Sequence, residues 1–209
     1  IESPLLLEIN DQKYKFDIRQ WVLVTSLKPL TIYSFSSFYC RMCSNPFDIA
    51  TFTDVSRHLT NYSVNKGNFK SGNSSGLKSS VMEADFLRNY VMEKLGRSWE
   101  DEVQPKIDKI IIKAIKAGMA NMKPRERSFE IYGFDVLIDE DLNPMLLEVN
   151  LSPACEEREE FLSQMLHDMT SGLFQILKEK ERAQPAILPS PTNKLDESKS
   201  PVKRVIEDF

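Results

Sequence analysis

The sequence predicts an α+β chain, an antiparallel sheet with helices packed against it, and three stretches predict it. Leu5–Cys43 is rich in Val, Ile, Trp, Tyr and Phe and is broken by two turn-like clusters, the pattern of a strand meander. Ser80–Met122 carries apolar residues at helical spacing. Phe134–Asn150, FDVLIDEDLNPMLLEVN, reads as two strands around the turn DEDLNP.

Taken in order, Leu5–Ile9 is a short apolar strand ended by NDQK, and YKFDIRQWVLVTSL pairs back on it. After KPL, TIYSFSSFYCRMC makes a third strand. Ser44–Asn65 is mixed, and NKGNFKSGNSSG has no apolar period, so a mobile loop is expected over about 65–78. The next helix buries Val81, Phe86, Leu87, Tyr90, Val91 and Leu95, with Ser80 as N-cap, Glu83 completing a capping box and Gly96 as stop. A second helix runs from about Trp99 to Met122 on Val103, Ile107, Ile110, Ile111, Ala114 and Ile115. After the hairpin, one or two helices carry Phe161, Met165, Leu166, Met169, Leu173, Phe174 and Leu177. Residues 183–209 are Pro- and Ser-rich with too little apolar surface to offset ordering entropy, so the domain is expected over 1–182 and a disordered tail, with at most a docked end, beyond it.

With 41% hydrophobic and 28% charged residues, the chain can build a sizeable core. Its formal charge of −4 gives no broad basic character, so no nucleic-acid partner is expected. No apolar run approaches the roughly 18 residues of a membrane span. Cys40 and Cys43 form C-x-x-C, but no second pair or nearby His completes a zinc site. With Cys155 they read as three reduced thiols of a cytoplasmic protein. The chain starts at Ile1 without a signal-peptide pattern and reads as a piece of a longer protein.

The hairpin carries the chemistry. Pairing Ile138 with Met145 sets Asp135 opposite Glu148, and the two-residue side-chain period puts Asn150 on the same face. Phe134, Val136, Ile138, Met145, Leu147 and Val149 then form the core face. Opposed carboxylates repel. By that reasoning Asp135→Ala or Glu148→Ala relieves strain and holds or raises thermal stability. A divalent cation offsets the repulsion, and Asp, Glu and Asn oxygens suit Mg²⁺ held jointly with substrate phosphates. Spacing alone equally admits a hairpin with one solvated face.

YKFDIR places Lys15, Asp17 and Arg19 on one strand face, where they can meet phosphate, metal-bound water and an anionic substrate, or simply water. Arg41 lies near the end of the third strand. RHLTNYSVNK offers Thr60, Asn61, Tyr62, Ser63 and Lys66 to ribose, phosphate or substrate. His58 reads as a local hydrogen-bonding residue and Cys155 as a structural thiol, since no neighbouring base is suggested.

Four blocks, IESPLLL, KFDIRQWVLVTSLKPLTIY, HLTNYSVNK and FEIYGFDVLIDEDLNPMLLEVNLSPAC, together resemble the tubulin tyrosine ligase-like family, over Ile1 to about Leu177. The wording EIYGFDVLIDEDLNP and EVNLSPACEER is most similar to its tubulin glycine ligase (monoglycylase) branch. The resemblance implies an ATP-grasp-like fold and ATP- and Mg²⁺-dependent joining of glycine to glutamate side chains of tubulin tails through an acyl phosphate. A glutamate ligase and an inactive, binding-only form are the alternatives. It implies Asp135, Glu148 and Asn150 as Mg²⁺ ligands, and Ile1, Lys15, Phe16, Asp17, Thr60 and Asn61 as nucleotide contacts. Arg19 and Arg41 fall on acyl-phosphate and amino-acid positions, with Tyr62, Ser63 and Lys66 as weaker substrate-side candidates. It further implies tubulin or microtubules as partner and a place in the cytoplasm and cytoskeleton, including ciliary or flagellar axonemes and basal bodies. Met145 stands where the family usually has Trp, and FYCRMCS departs from the usual RF. The likeness starts at the adenine hinge, leaving the N-terminal lobe and its ATP-binding lysines outside this chain.

Overall fold

The computed structural model describes residues 3–125, 127–155 and 159–183, together with the backbone of 202–207. Strands β1 (Leu6–Ile9), β2 (Gln12–Leu27) and β3 (Leu30–Met42) form the expected meander. Asn10 and Asp11 join β1 to β2 in a two-residue hairpin turn with φ of 51° and 60°, a conformation Asn and Asp tolerate better than other side-chain-bearing residues. Helix α1 (Tyr62–Ser71), β4 (Val81–Glu83), α2 (Ala84–Leu95) and α3 (Gln104–Gly118) follow, then β5 (Glu130–Ile138), β6 (Pro144–Leu151), α4 (Glu160–Ala183) and β7 (Val202–Glu207). The main sheet runs β4-β3-β2-β5-β6, with β1 on β2 and β7 on β3, and every pairing is antiparallel.

The alternation of β2 sorts the molecule into two faces. Phe16, Ile18, Val22 and Val24 point into the main core with Cys40 and Ile32 of β3 and Phe134, Val136 and Ile138 of β5. Leu87 and Val91 of α2 and Ile107, Ile111 and Ile115 of α3 close that core. Trp99, in a single π-helical turn over Trp99–Val103 capped by Ser98, packs its ring 5.0 Å from that of Phe38. On the other face Trp21, Phe35 and Tyr39 meet Leu162, Met165 and Leu166 of α4, and Leu23 meets Leu173 and Ile176. Helix α4 is one helix rather than two. Its stripe includes Leu162 and Ile176, while Phe174, expected inside, is exposed.

Several expectations are corrected. Half of the supposed loop at 65–78 is α1, which ends at Gly72 in the left-handed conformation. Tertiary hydrogen bonds replace apolar periodicity there. Asn65 is fully buried, accepts from the Ser44 N–H and hydroxyl, and donates to the Leu59 and Asn61 carbonyls. Ser80 does not cap α2, because Val81–Glu83 pairs with Tyr39–Arg41 as β4 before the helix begins. Sheet pairing outcompetes the capping box there. The hairpin register holds at Asp135↔Glu148 and Gly133↔Asn150 but shifts beyond, giving Val136↔Leu146 and Ile138↔Pro144. A bulge absorbs the extra residue, and Leu147 (51% exposed) and Val149 (39%) do not join the core. Of the supposed tail, 202–207 pairs with Thr31–Phe35 of β3, and Ala183 ends α4. Residues 184–201 and 208–209 lie outside the described residues.

Candidate functional site

The face that packs against α4 turns from apolar to charged at one level of the sheet. Moving along β2, Leu23 and Trp21 give way to Arg19, Asp17 and Lys15; along β3, Tyr39 gives way to Arg41; along β5, Ile131 gives way to Asp135. Register brings them together, because Arg19 is paired with Asp135 across β2–β5 and Asp17 with Arg41 across β2–β3.

Four buried charges form one continuous chain, Arg19–Asp135–Arg41–Asp17. Arg19 donates from Nε to Asp135 Oδ1 at 2.5 Å and from Nη2 to Oδ2 at 3.1 Å. Arg41 donates from Nε to Asp17 Oδ1 at 2.7 Å and from Nη2 to Asp17 Oδ2 at 2.5 Å, and reaches Asp135 Oδ2 at 2.8 Å. The buried Thr60 hydroxyl donates to Asp17 Oδ2 at 2.6 Å. Both pairs are bidentate, the fork geometry for which arginine is suited. Burial pushes the Asp135 carboxyl up, but the Arg19 bond, the contact with Glu148 and the Arg41 charge hold it below the usual aspartate range. Burial works against the Arg41 charge, and its bonds to Asp17 more than restore it. The like-charge strain expected of the hairpin therefore does not govern Asp135, since two guanidiniums from other strands neutralise it.

Glu148 and Asn150 stand beside this network on the edge strand. Asn150 Nδ2 lies 3.1 Å from Glu148 Oε1 and 3.3 Å from Asp135 Oδ2, so the three side chains converge on one point. The nitrogen and oxygen of that amide are assigned by their hydrogen bonds, and a half-turn presents Oδ1 in place of the N–H₂. Among the described residues no cluster of three or more His, Cys, Asp or Glu is found. The oxygen set is thus two carboxylates and an amide, of which Glu148 is exposed while buried Asp135 already accepts from Arg19 and Arg41; the donor chemistry suits Mg²⁺ shared with phosphates and does not fit a closed structural site.

The other predicted residues fall around this centre. Lys15 Nζ donates to the His58 carbonyl at 2.9 Å, bracing the segment that carries Thr60. Phe16 points away into the main core, so any part it takes at the site is through its backbone. Asn61 is the exposed N-cap residue of α1, followed by Tyr62, the exposed Ser63 and the exposed Lys66. Ile1 lies outside the described residues. His58 is structural: its ring stacks on Phe52 and meets Phe47 edge-on, with Nε2 at 3.0 Å from the Thr51 carbonyl. Cys40 and Cys43 are buried, and burial pushes the Cys43 thiol up to about 12. The sequence reading missed Gly133, against which both Arg19 and Pro153 pack, and Pro153 itself. A glycine inside a strand was the one signal for them, since it marks close approach of another group.

The tubulin-tyrosine ligase family profile matches residues 1–184. The chain is 44% identical to "Tubulin glycylase 3E" of Tetrahymena thermophila over 190 residues, 88% of this chain and 13% of that protein. It is 36% identical to "Tubulin monoglycylase TTLL3" of Danio rerio, over 73% of this chain and 20% of that protein. It is also 33% identical to "Probable tubulin polyglutamylase TTLL2" of Mus musculus, over 82% of this chain and 32% of that protein. The chain therefore spans a minor part of the length of the curated relatives it matches. No helix among the described residues is long and apolar enough to cross a membrane.

Proposed function

This chain belongs to the tubulin-tyrosine ligase family, and from that premise we propose that it is the site-bearing part of an ATP-grasp-like ligase that joins glycine to glutamate side chains of tubulin tails. The observation that carries this reading is the buried Asp17–Arg41–Asp135–Arg19 network set against Glu148 and Asn150. In the reaction, the glutamate carboxylate oxygen bonds to the γ-phosphorus of ATP while the bond to the β-phosphate oxygen breaks and ADP leaves. The glycine amine then attacks the acyl carbon, the carbon–oxygen bond to phosphate breaks, and the nitrogen loses a proton. No nucleophilic side chain is required.

Arg19 and Arg41 supply the positive field that such a sequence needs, because negative charge gathers on phosphate and carboxylate oxygens throughout. Their bidentate pairs hold them oriented before substrate arrives. Asp17 and Thr60, with the backbone around Phe16 and the side chains of Lys15 and Asn61, face the nucleotide. Asp135, Glu148 and Asn150 would hold Mg²⁺, which neutralises phosphate charge when bound. Tyr62, Ser63 and Lys66 border the substrate side, and Ile1 belongs to the adenine hinge. Tubulin as partner, and a cytoskeletal place at axonemes and basal bodies, follow from the same reading.

Glycine is favoured because the glycylase relatives match at up to 44% identity. Glutamate is the second reading, supported by the 33% identity to a probable polyglutamylase. Supplying the full-length protein with ATP, Mg²⁺, microtubules and either labelled glycine or labelled glutamate separates them. Glycine incorporation is expected to dominate by at least about tenfold, equivalent to roughly 1.4 kcal/mol of discrimination. Preferential glutamate incorporation moves the protein to the second reading, and incorporation of neither refutes the ligase.

A further inference from the structure

Arg19 is tethered at both ends. Its backbone lies in β2, paired on both sides by β3 and β5, and its guanidinium is held by Asp135. Between these points its stem passes over Gly133, which is paired with Trp21 of β2 and Asn150 of β6. A Cβ built at Gly133 would stand 3.0 Å from Arg19 Cδ, 3.2 Å from Arg19 Nη1 and 2.8 Å from Pro153 Cβ. Gly133 is not among the residues with positive φ, so the backbone does not demand glycine there. The demand is for space. Pro153 borders the same space, following Ser152, whose φ is 52°.

We propose that Gly133 is a positioning residue for ligation: its missing side chain is the slot across which Arg19 reaches Asp135. The inference rests on the ligase reading for its functional consequence and on geometry alone for the Gly133–Arg19 coupling. A methyl group in the slot cannot be relieved by moving Pro153 alone, because Arg19 crowds it independently. Giving way by a few tenths of an ångström at Cδ tilts a guanidinium whose other anchor is fixed; misplacement by about 1 Å can cost about 100-fold in rate, so this smaller shift is expected to cost about tenfold.

The test uses full-length protein carrying Gly133→Ala, Gly133→Ala with Pro153→Gly, and each of these with Arg19→Lys. The Pro153→Gly partner removes the contact with the proline Cβ, so that the variant folds with only the Arg19 clash left. In both forms kcat is expected to fall at least about tenfold while KM for ATP stays within about threefold. In the Arg19→Lys background, which keeps a Cδ but lacks the guanidinium, the alanine is expected to add less than about threefold to the loss of kcat, since the group whose aim it disturbs is already gone. Wild-type kcat in the doubly substituted form, or losses that multiply in the Arg19→Lys background, overturns the proposal. If the wild-type protein joins no amino acid, the ligase reading fails instead. Urea midpoints then decide the coupling, with Arg19→Ala taking the place of Arg19→Lys so that Cδ is removed as well: non-additive shifts of Gly133→Ala and Arg19→Ala support it, and additive shifts refute it.

Discussion

Replacing Asp135 with alanine removes the acceptor of both Arg19 hydrogen bonds and of one from Arg41. Arg41 keeps its two bonds to Asp17, but Arg19, only 7% exposed, is left as a buried cation facing a cavity. The network of two arginines and two aspartates, neutral before, then carries one unit of positive charge. Removing one partner of a buried ion pair typically costs about 3–5 kcal/mol, because the remaining charge has lost both water and counterion. For a domain of this size that corresponds to a fall in thermal midpoint of roughly 6–20 °C. Glu148→Ala is the internal control: Glu148 is exposed on an edge strand, and its loss is expected to shift stability by no more than about 0.5 kcal/mol. Thermal and urea unfolding of the two variants, without nucleotide or Mg²⁺, make the comparison. The reasoning is refuted if Asp135→Ala unfolds at or above the wild-type midpoint. That outcome would mean that carboxylate repulsion across the hairpin outweighs the arginine pairing. Both substitutions are expected to weaken Mg²⁺-nucleotide binding, so the metal assignment predicts a shared loss of binding and a divergent effect on stability.

Three further outcomes are expected. Asn65→Ala removes the buried side chain that bonds both the Ser44 N–H and hydroxyl and the Leu59 carbonyl, leaving only the Asn68 bond to Ser44, and it should destabilise by about 2–3 kcal/mol with faster amide exchange across 62–71; unchanged exchange there would show that Asn68 and the packing of Phe69 hold α1. A mild aromatic disulfide reagent applied to the native protein should titrate Cys155 quickly and reach Cys40 and Cys43 only on unfolding, because those two thiols are buried; three equally fast thiols would contradict the packing of β3. Deleting residues 184–209 removes the β7 ladder from β3 and should lower the thermal midpoint, while ligation by the otherwise full-length protein continues; loss of turnover would place that segment within the catalytic unit.

What the sequence made legible follows from which interactions are local. Alternation in YKFDIR put Lys15, Asp17 and Arg19 on one face and Phe16 and Ile18 on the other, and the structure agrees. The same alternation set Asp135 against Glu148, because a short register near the bulge survives the slip beyond it. It failed at Leu147, the extra residue of the bulge, and at Met145 beyond it, whose place on the core face Leu146 takes, since a bulge changes the face of every residue past it and leaves no mark in an apolar pattern; Val149 keeps its register opposite Phe134 but is exposed on the edge strand. Helix α1 escaped notice for a different reason. A helix held by the buried Asn65, by Asn68 bonding Ser44 and by the single apolar contact of Phe69 shows no stripe.

The electrostatics of the site were the hardest to read, because charge balance is a property of the folded sheet. Read along the hairpin alone, Asp135 has another carboxylate as its neighbour and looks strained. In the sheet its first neighbours are Arg19 and Arg41, 116 and 94 residues away in sequence. They arrive there only because β5 adds to β2 on the side opposite β3. The strand order thus turns a repulsive pair into a neutralised one, and it leaves Glu148 and Asn150, on the edge strand, as the part of the constellation open to a cation. A site built this way divides its labour by position. Buried central strands hold the arginines and Asp135 rigid, and the edge strand keeps Glu148 and Asn150 accessible.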